Sequence, residues 1–296
     1  MALILYALFF VSGFAALLYE VAWARSLSLI FGGSHVAVTI VLSVYMGGLA
    51  LGSLLFGRRS DAAMRPLRLY GFLELGIGAF ALVFLALMKV YPAVYGQLAQ
   101  VAPTNRLWLS ALRVVFAAAA LIVPTTLMGG TLPVVSRFLA GRSGQLGRRL
   151  AFLYGINTLG AVAGAFAAGF FLLSALGVTA TILVAVAANV VVGIAAVATS
   201  GRAGAMDVSA PKRPDDDSVE AGDLSYRLTL WGIGVSGFCA LGYEVLWTRM
   251  LSLVVGTSVY SFTIMLVAFL SGIGLGSQAH GFAQSLWRRG RASSPS

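Results

Sequence analysis

Two stretches of this chain set a glutamate and an arginine among apolar residues: SGFAALLYEVAWARSLSL, beginning at Ser12, and SGFCALGYEVLWTRMLSL, beginning at Ser236. A carboxylate placed in hydrocarbon costs about 3 kcal/mol, so it normally faces a cavity or a partner. Glu20 and Glu244 are therefore the first candidates for chemistry, and that chemistry is the electrostatic binding of a cation. Tyr19, Trp23, Tyr243 and Trp247 stand on the same turns and are candidate aromatic or cation–π walls. Glu20 and Arg25 are five residues apart, about 140° around a helix, so they do not share a face. The same holds for Glu244 and Arg249. Each arginine is expected nearer the outer surface, where its head can snorkel. Arg25, Arg249 and Arg113 are also candidate charge partners, in which case the glutamates are interhelical glue. The sequence leaves site and glue open.

The remaining acidic residues fall elsewhere. Asp207, Asp215, Asp216, Asp217, Glu220 and Asp223 share one polar segment, Asp61 follows the basic pair Arg58 and Arg59, and Glu74 is expected near the cytoplasmic end of a span. His35 and His280 are isolated, so no metal site is expected. Cys239 is the single cysteine, which excludes an internal disulfide. No dinucleotide fingerprint, phosphate loop or nucleophile–base arrangement is visible. No catalytic residue and no cofactor are expected.

These residues must be positioned by membrane helices. The chain has 296 residues, 59% of them hydrophobic and 10% charged, against about 25% charged in a soluble domain. Its apolar runs suit helices of ~20 residues rather than the ~10-residue alternation of barrel strands. The fold class expected is an all-α polytopic bundle of about eight spans, roughly 2–30, 35–57, 69–90, 108–128, 150–173, 178–199, 227–255 and 259–282. The first and seventh are long for a ~30 Å core and should tilt, kink or emerge from it. Residues 126–139, with Gly129, Gly130 and Pro133, are either a kinked extension of the fourth span or a re-entrant piece. The opening MALILYALFFVSGFAALL lacks a basic leader and is read as a retained first helix.

The net charge of +10 is a topology signal rather than a nucleic-acid surface. Arg58, Arg59, Arg65 and Arg68 follow the second span, Arg142, Arg148 and Arg149 precede the fifth, and Arg202, Lys212, Arg213 and Arg227 precede the seventh. The alternate loops carry little positive charge beyond Lys89 and Arg106. Both termini are therefore expected in the cytoplasm. The organisation read is a six-span half over 1–199, a flexible cytoplasmic linker over 200–226, two further spans over 227–282 and a basic tail over 283–296.

The last two spans repeat the first two. Tyr19, Glu20, Trp23, Arg25 and Gly52 match Tyr243, Glu244, Trp247, Arg249 and Gly276 at one offset of 224, and about half the positions from Ser12 to Gly57 are identical. Both copies begin on the same side, which makes this a parallel repeat like that between the halves of major facilitators. The loop GSLLFGRRSDAAMRPLR is either a degenerate form of a major-facilitator latch or a plain basic loop. Gly48 with Gly52, Gly272 with Gly276, and Gly160 with Gly164 have the spacing of close helix packing. Asn157 and Asn189 are expected to form interhelical hydrogen bonds.

The ordered motifs SGFAALLYEVAWARSLSLIFGGS, YMGGLALGSLLFG, PTTLMGGTLPVVSRF, LGRRLAFLYGINTLGAVAGA and SGFCALGYEVLWTRMLSLVVGTSVYSF resemble the membrane part of bacterial fused major-facilitator/spermidine-synthase proteins. The resemblance extends to about Ser277. It implies a major-facilitator-like bundle in a bacterial inner membrane, and a polyamine or related small cation as ligand. In that family a cytoplasmic Rossmann-like domain transfers an aminopropyl group to putrescine. None of its positions occurs in this sequence, so the expectation is a member cut short before that domain, inactive by itself as an aminopropyltransferase. The expected partners are the lipid bilayer, a polyamine or other small cation, and a second copy or a separate spermidine-synthase-like subunit. The other reading is a structural anchor or oligomerisation module for a partner enzyme.

Overall fold

The computed structural model describes residues 2–31, 34–61, 63–101, 106–140, 146–203, 224–256 and 258–292. Among them every regular element is a helix. We number the long ones α1 (Ala2–Phe31), α2 (Ser34–Asp61), α3 (Pro66–Val101), α4 (Arg106–Ala140), α5 (Leu146–Ala167), α6 (Gly177–Ala203), α7 (Leu224–Val255) and α8 (Ser258–Ala292). A π-helical turn, Ala168–Leu172, and a short helical segment, Leu173–Ala175, prolong α5. Eight helices are long and apolar enough to cross a membrane, which bears out the all-α class and the number of spans.

The boundaries differ from the sequence reading where proline or glycine was given too much weight. With 36 residues, α3 runs through Pro92 and is longer than α1 with 30 or α7 with 32. At 1.5 Å per residue it measures ~54 Å, well over a ~30 Å hydrocarbon core. Residues 126–139 belong to one uninterrupted helix that contains Pro124 and Pro133. The re-entrant alternative is thereby excluded. Local hydroxyls reinforce this stretch: Thr125 donates to the Leu121 carbonyl at 2.7 Å and Thr126 to the Ile122 carbonyl at 2.6 Å. Such back-bonds satisfy polar groups where lipid offers no partner.

The linker expected over 200–226 falls largely on residues 204–223, outside those described. Its two ends are helical, because α6 continues to Ala203 and α7 begins at Leu224. The expected tail is helical as far as Ala292. Sharp breaks occur where only glycine fits readily: Gly177 at the start of α6 and Gly256 after α7 have φ of 77° and 76°.

Helix pairing follows the small residues. In the α2–α4 contact, a Cβ at Gly52 would strike the Thr126 carbonyl, and one at Gly129 the Leu49 carbonyl. In the α1–α5 contact, side chains at Gly160 and Gly164 would strike the carbonyls of Phe10 and Phe14. Backbones therefore touch in both pairs. The sequence counterparts Gly272 and Gly276 on α8 face open space, contrary to the packing role expected from their spacing. Helix α7 packs mainly on α8, and its only buried residues are Glu244 and Thr248.

Candidate functional site

A cavity of about 470 Å³ lies among the helices, and all eight contribute to its wall. Glu20 enters from α1 and Glu244 from α7. Each is 2% exposed. The spacing on α1 explains the wall there: Gly13, Ala16, Leu17 and Glu20 recur every three or four residues and line the same cavity. Gly237, Ala240, Leu241 and Glu244 form the corresponding stripe on α7, and Thr248, off the cavity, donates back to the Glu244 carbonyl at 2.8 Å.

The polar groups of the wall are sorted by kind. Of its seven hydroxyl- or amide-bearing side chains, all but Tyr154 donate within the protein. Ser12 donates to Glu74 at 2.5 Å, Tyr45 to the Ala16 carbonyl at 3.4 Å and Thr131 to the Met128 carbonyl at 2.8 Å. Asn157 donates to the Phe9 carbonyl at 2.9 Å, Thr158 to the Tyr154 carbonyl at 2.9 Å and Asn189 to Glu74 at 2.7 Å. The buried atoms left without a hydrogen-bond partner on this wall are acceptors: Glu20 Oε1, Glu244 Oε1 and Asn189 Oδ1. Among the described residues, no arginine, lysine or histidine lines the cavity. A buried acceptor with no donor costs ~1–3 kcal/mol, more if charged, so the wall is chemically incomplete by itself.

Sequence reasoning did not foresee the role of one residue of this region. Glu74 lies in the first quarter of α3, toward one end as expected, and is fully buried. Ser12 and Asn189 both donate to its carboxyl. It thus ties α1, α3 and α6 together immediately behind the cavity. The one legible signal was that a lone Glu in an apolar run needs donors, and Asn189 was the buried amide able to supply one.

The aromatic candidates do not surround the two glutamates as a set. Tyr19 and Trp23 stack with ring centroids 5.1 Å apart, and Trp23 packs on Phe84 and Tyr45. Both are fully buried in the core and do not line the cavity. Neighbouring helical residues point ~100° apart, so the Tyr19–Trp23 stripe faces the core while Glu20 faces the cavity. Tyr243 and Trp247 are exposed on α7 and line, with Glu244, a separate groove between α7 and α8.

The arginines also lie away from the carboxylates. Arg25 lines a small crevice with Val21, Val38 and Phe262, and Arg249 is exposed. Arg113 donates to the Tyr95 hydroxyl at 3.2 Å and sits 5.8 Å from that ring's centroid. It is therefore a partner of Tyr95 rather than of a glutamate. Arg58 and Arg59 fall in the last turn of α2, with Arg59 against the Phe56 ring.

No family model, curated protein or solved structure matches this chain.

Proposed function

We propose that this protein is a membrane module that binds a small organic cation, of the polyamine class or related to it, between Glu20 and Glu244. The observation that carries this reading is the sorting of the wall. One oxygen of each carboxylate and one amide oxygen lack donors, six of the wall's seven hydroxyl and amide side chains donate elsewhere, and among the described residues no basic side chain faces the cavity. A ligand bearing positive charge supplies what is missing. A volume of about 470 Å³ accommodates a small flexible cation. The motif resemblance supports the same ligand class and adds a major-facilitator-like arrangement with a parallel repeat, in a bacterial inner membrane with cytoplasmic termini. Transport across the membrane is a further step of the same proposal, with Glu20 and Glu244 contributed by equivalent helices of the two halves.

A second reading, an anchor or oligomerisation module for a partner enzyme, has one observation in its favour. Only 11% of the α7 span is buried, against 33–56% of the others. That outward face suits contact with another helix as well as with lipid. The glue role for the glutamates draws no support from their unpartnered oxygens.

Calorimetry of putrescine and spermidine binding to the purified protein, beside the Glu20→Gln/Glu244→Gln double variant, tests the proposal. Saturable binding that disappears in the variant is expected. Absence of binding to the wild type would overturn it.

A further inference from the structure

We infer that Asn189, held in place by Glu74, is a specificity-determining acceptor of the cavity, so that the bound cation must carry N–H donors: a primary or secondary ammonium rather than a quaternary one. This rests on the cation-binding reading above and narrows its ligand class.

An asparagine side chain has one donating and one accepting end, and a single bond fixes which end faces where. Here the Nδ2 donates to Glu74 Oε2 at 2.7 Å, joining α6 to α3. Glu74 is itself held, since Ser12 donates to its other oxygen at 2.5 Å. The amide is thereby prevented from turning over. Its Oδ1 end is directed away from Glu74, is buried and has no partner, while the residue lines the cavity. The carboxylates of Glu20 and Glu244 attract any cation. Their oxygens also accept N–H bonds, and the neutral amide oxygen adds a third acceptor whose whole contribution depends on a donor. A site built to hydrogen-bond an N–H rejects an analogue lacking it, since the acceptor is then left dry and unpaired.

The test compares butane-1,4-diammonium with its fully methylated bis-quaternary counterpart, by titration calorimetry on the detergent-purified full chain. One hydrogen bond from a charged donor corresponds to a preference of about tenfold or more. Wild type should favour the N–H-bearing cation by that factor. In Asn189→Leu the preference should fall by about that factor, to what the two carboxylates contribute. Glu74→Gln keeps the shape but can offer its own amide to Asn189, which frees that side chain to turn; its preference should fall nearly as far. Ser12→Ala, the mildest change, loosens Glu74 and should give an intermediate value, and it keeps the test available if the other two do not fold. Comparing ratios within each variant cancels differences in ligand size. An unchanged ratio across the folded variants, or equal affinity for the two cations in wild type, would overturn the inference and leave the cation-binding reading intact. No saturable binding of either cation to wild type would overturn both.

Discussion

Tyr19 and Trp23 stack face to face one turn apart on α1, and Phe84 of α3 closes over the indole. Their sequence counterparts on α7, Tyr243 and Trp247, lie open. Equal residue types in matching segments therefore contribute unequally. Trp23→Ala should lower stability by about 3 kcal/mol, as for other large buried aromatics. Trp247→Ala should cost less than ~1 kcal/mol. Thermal unfolding of both variants in the same detergent checks this, and similar losses would contradict the described environments.

The glycines make a parallel contrast. At Gly52 and Gly160 an added methyl would meet carbonyl groups of a neighbouring helix, while at Gly276 it meets nothing. Gly52→Ala and Gly160→Ala should each cost about 1–3 kcal/mol by forcing packed backbones apart. Gly276→Ala should be neutral or slightly stabilising through its better helix propensity. The midpoint of unfolding in denaturant is the relevant measurement.

Glu20 and Glu244 each bury one carboxylate oxygen without a donor, which costs stability when the cavity is empty. Replacing one carboxylate by the neutral, isosteric amide should raise the melting temperature of the ligand-free protein, by an amount corresponding to about 1 kcal/mol or more. The same Glu20→Gln or Glu244→Gln change should weaken cation affinity by at least about tenfold. A fall in melting temperature would instead favour the glue role. Scanning fluorimetry with and without putrescine separates the two.

Arg113 is engaged by Tyr95 and does not line the cavity. Arg113→Gln should therefore leave cation affinity within about twofold of wild type, because it makes no contact with the ligand space. A tenfold change would show that α4 and the cavity are coupled through a route other than direct contact.

The fold class was legible because hydrophobic length and basic loops are local signals. Glu20 and Glu244 were legible for the same reason, as rare carboxylates in apolar runs. Much of the rest depended on which way a residue faces. Tyr19 adjoins Glu20 in sequence yet belongs to the core, and nothing in the chain distinguishes those faces before the other helices are placed. The network of Glu74 was not legible because its donors, Ser12 and Asn189, come from helices far away in sequence. Gly272 and Gly276 show that spacing announces the capacity for close packing, while a partner helix decides whether it is used.

The backbone contacts at Gly52, Gly129, Gly160 and Gly164 have a mechanical consequence. Helices joined carbonyl to glycine cannot slide without collision, so α1 with α5, and α2 with α4, behave as stiff plates. Helix α7 has no such anchorage; the glycines along it meet nothing within contact distance. Glu20 thus rides on a fixed jaw and Glu244 on a compliant one. A ligand with two charges would be gauged as in a calliper, with α7 shifting to suit its length. Spin labels on α1 and α7 should report separations that change with diammonium chain length, while a pair on α1 and α5 stays constant.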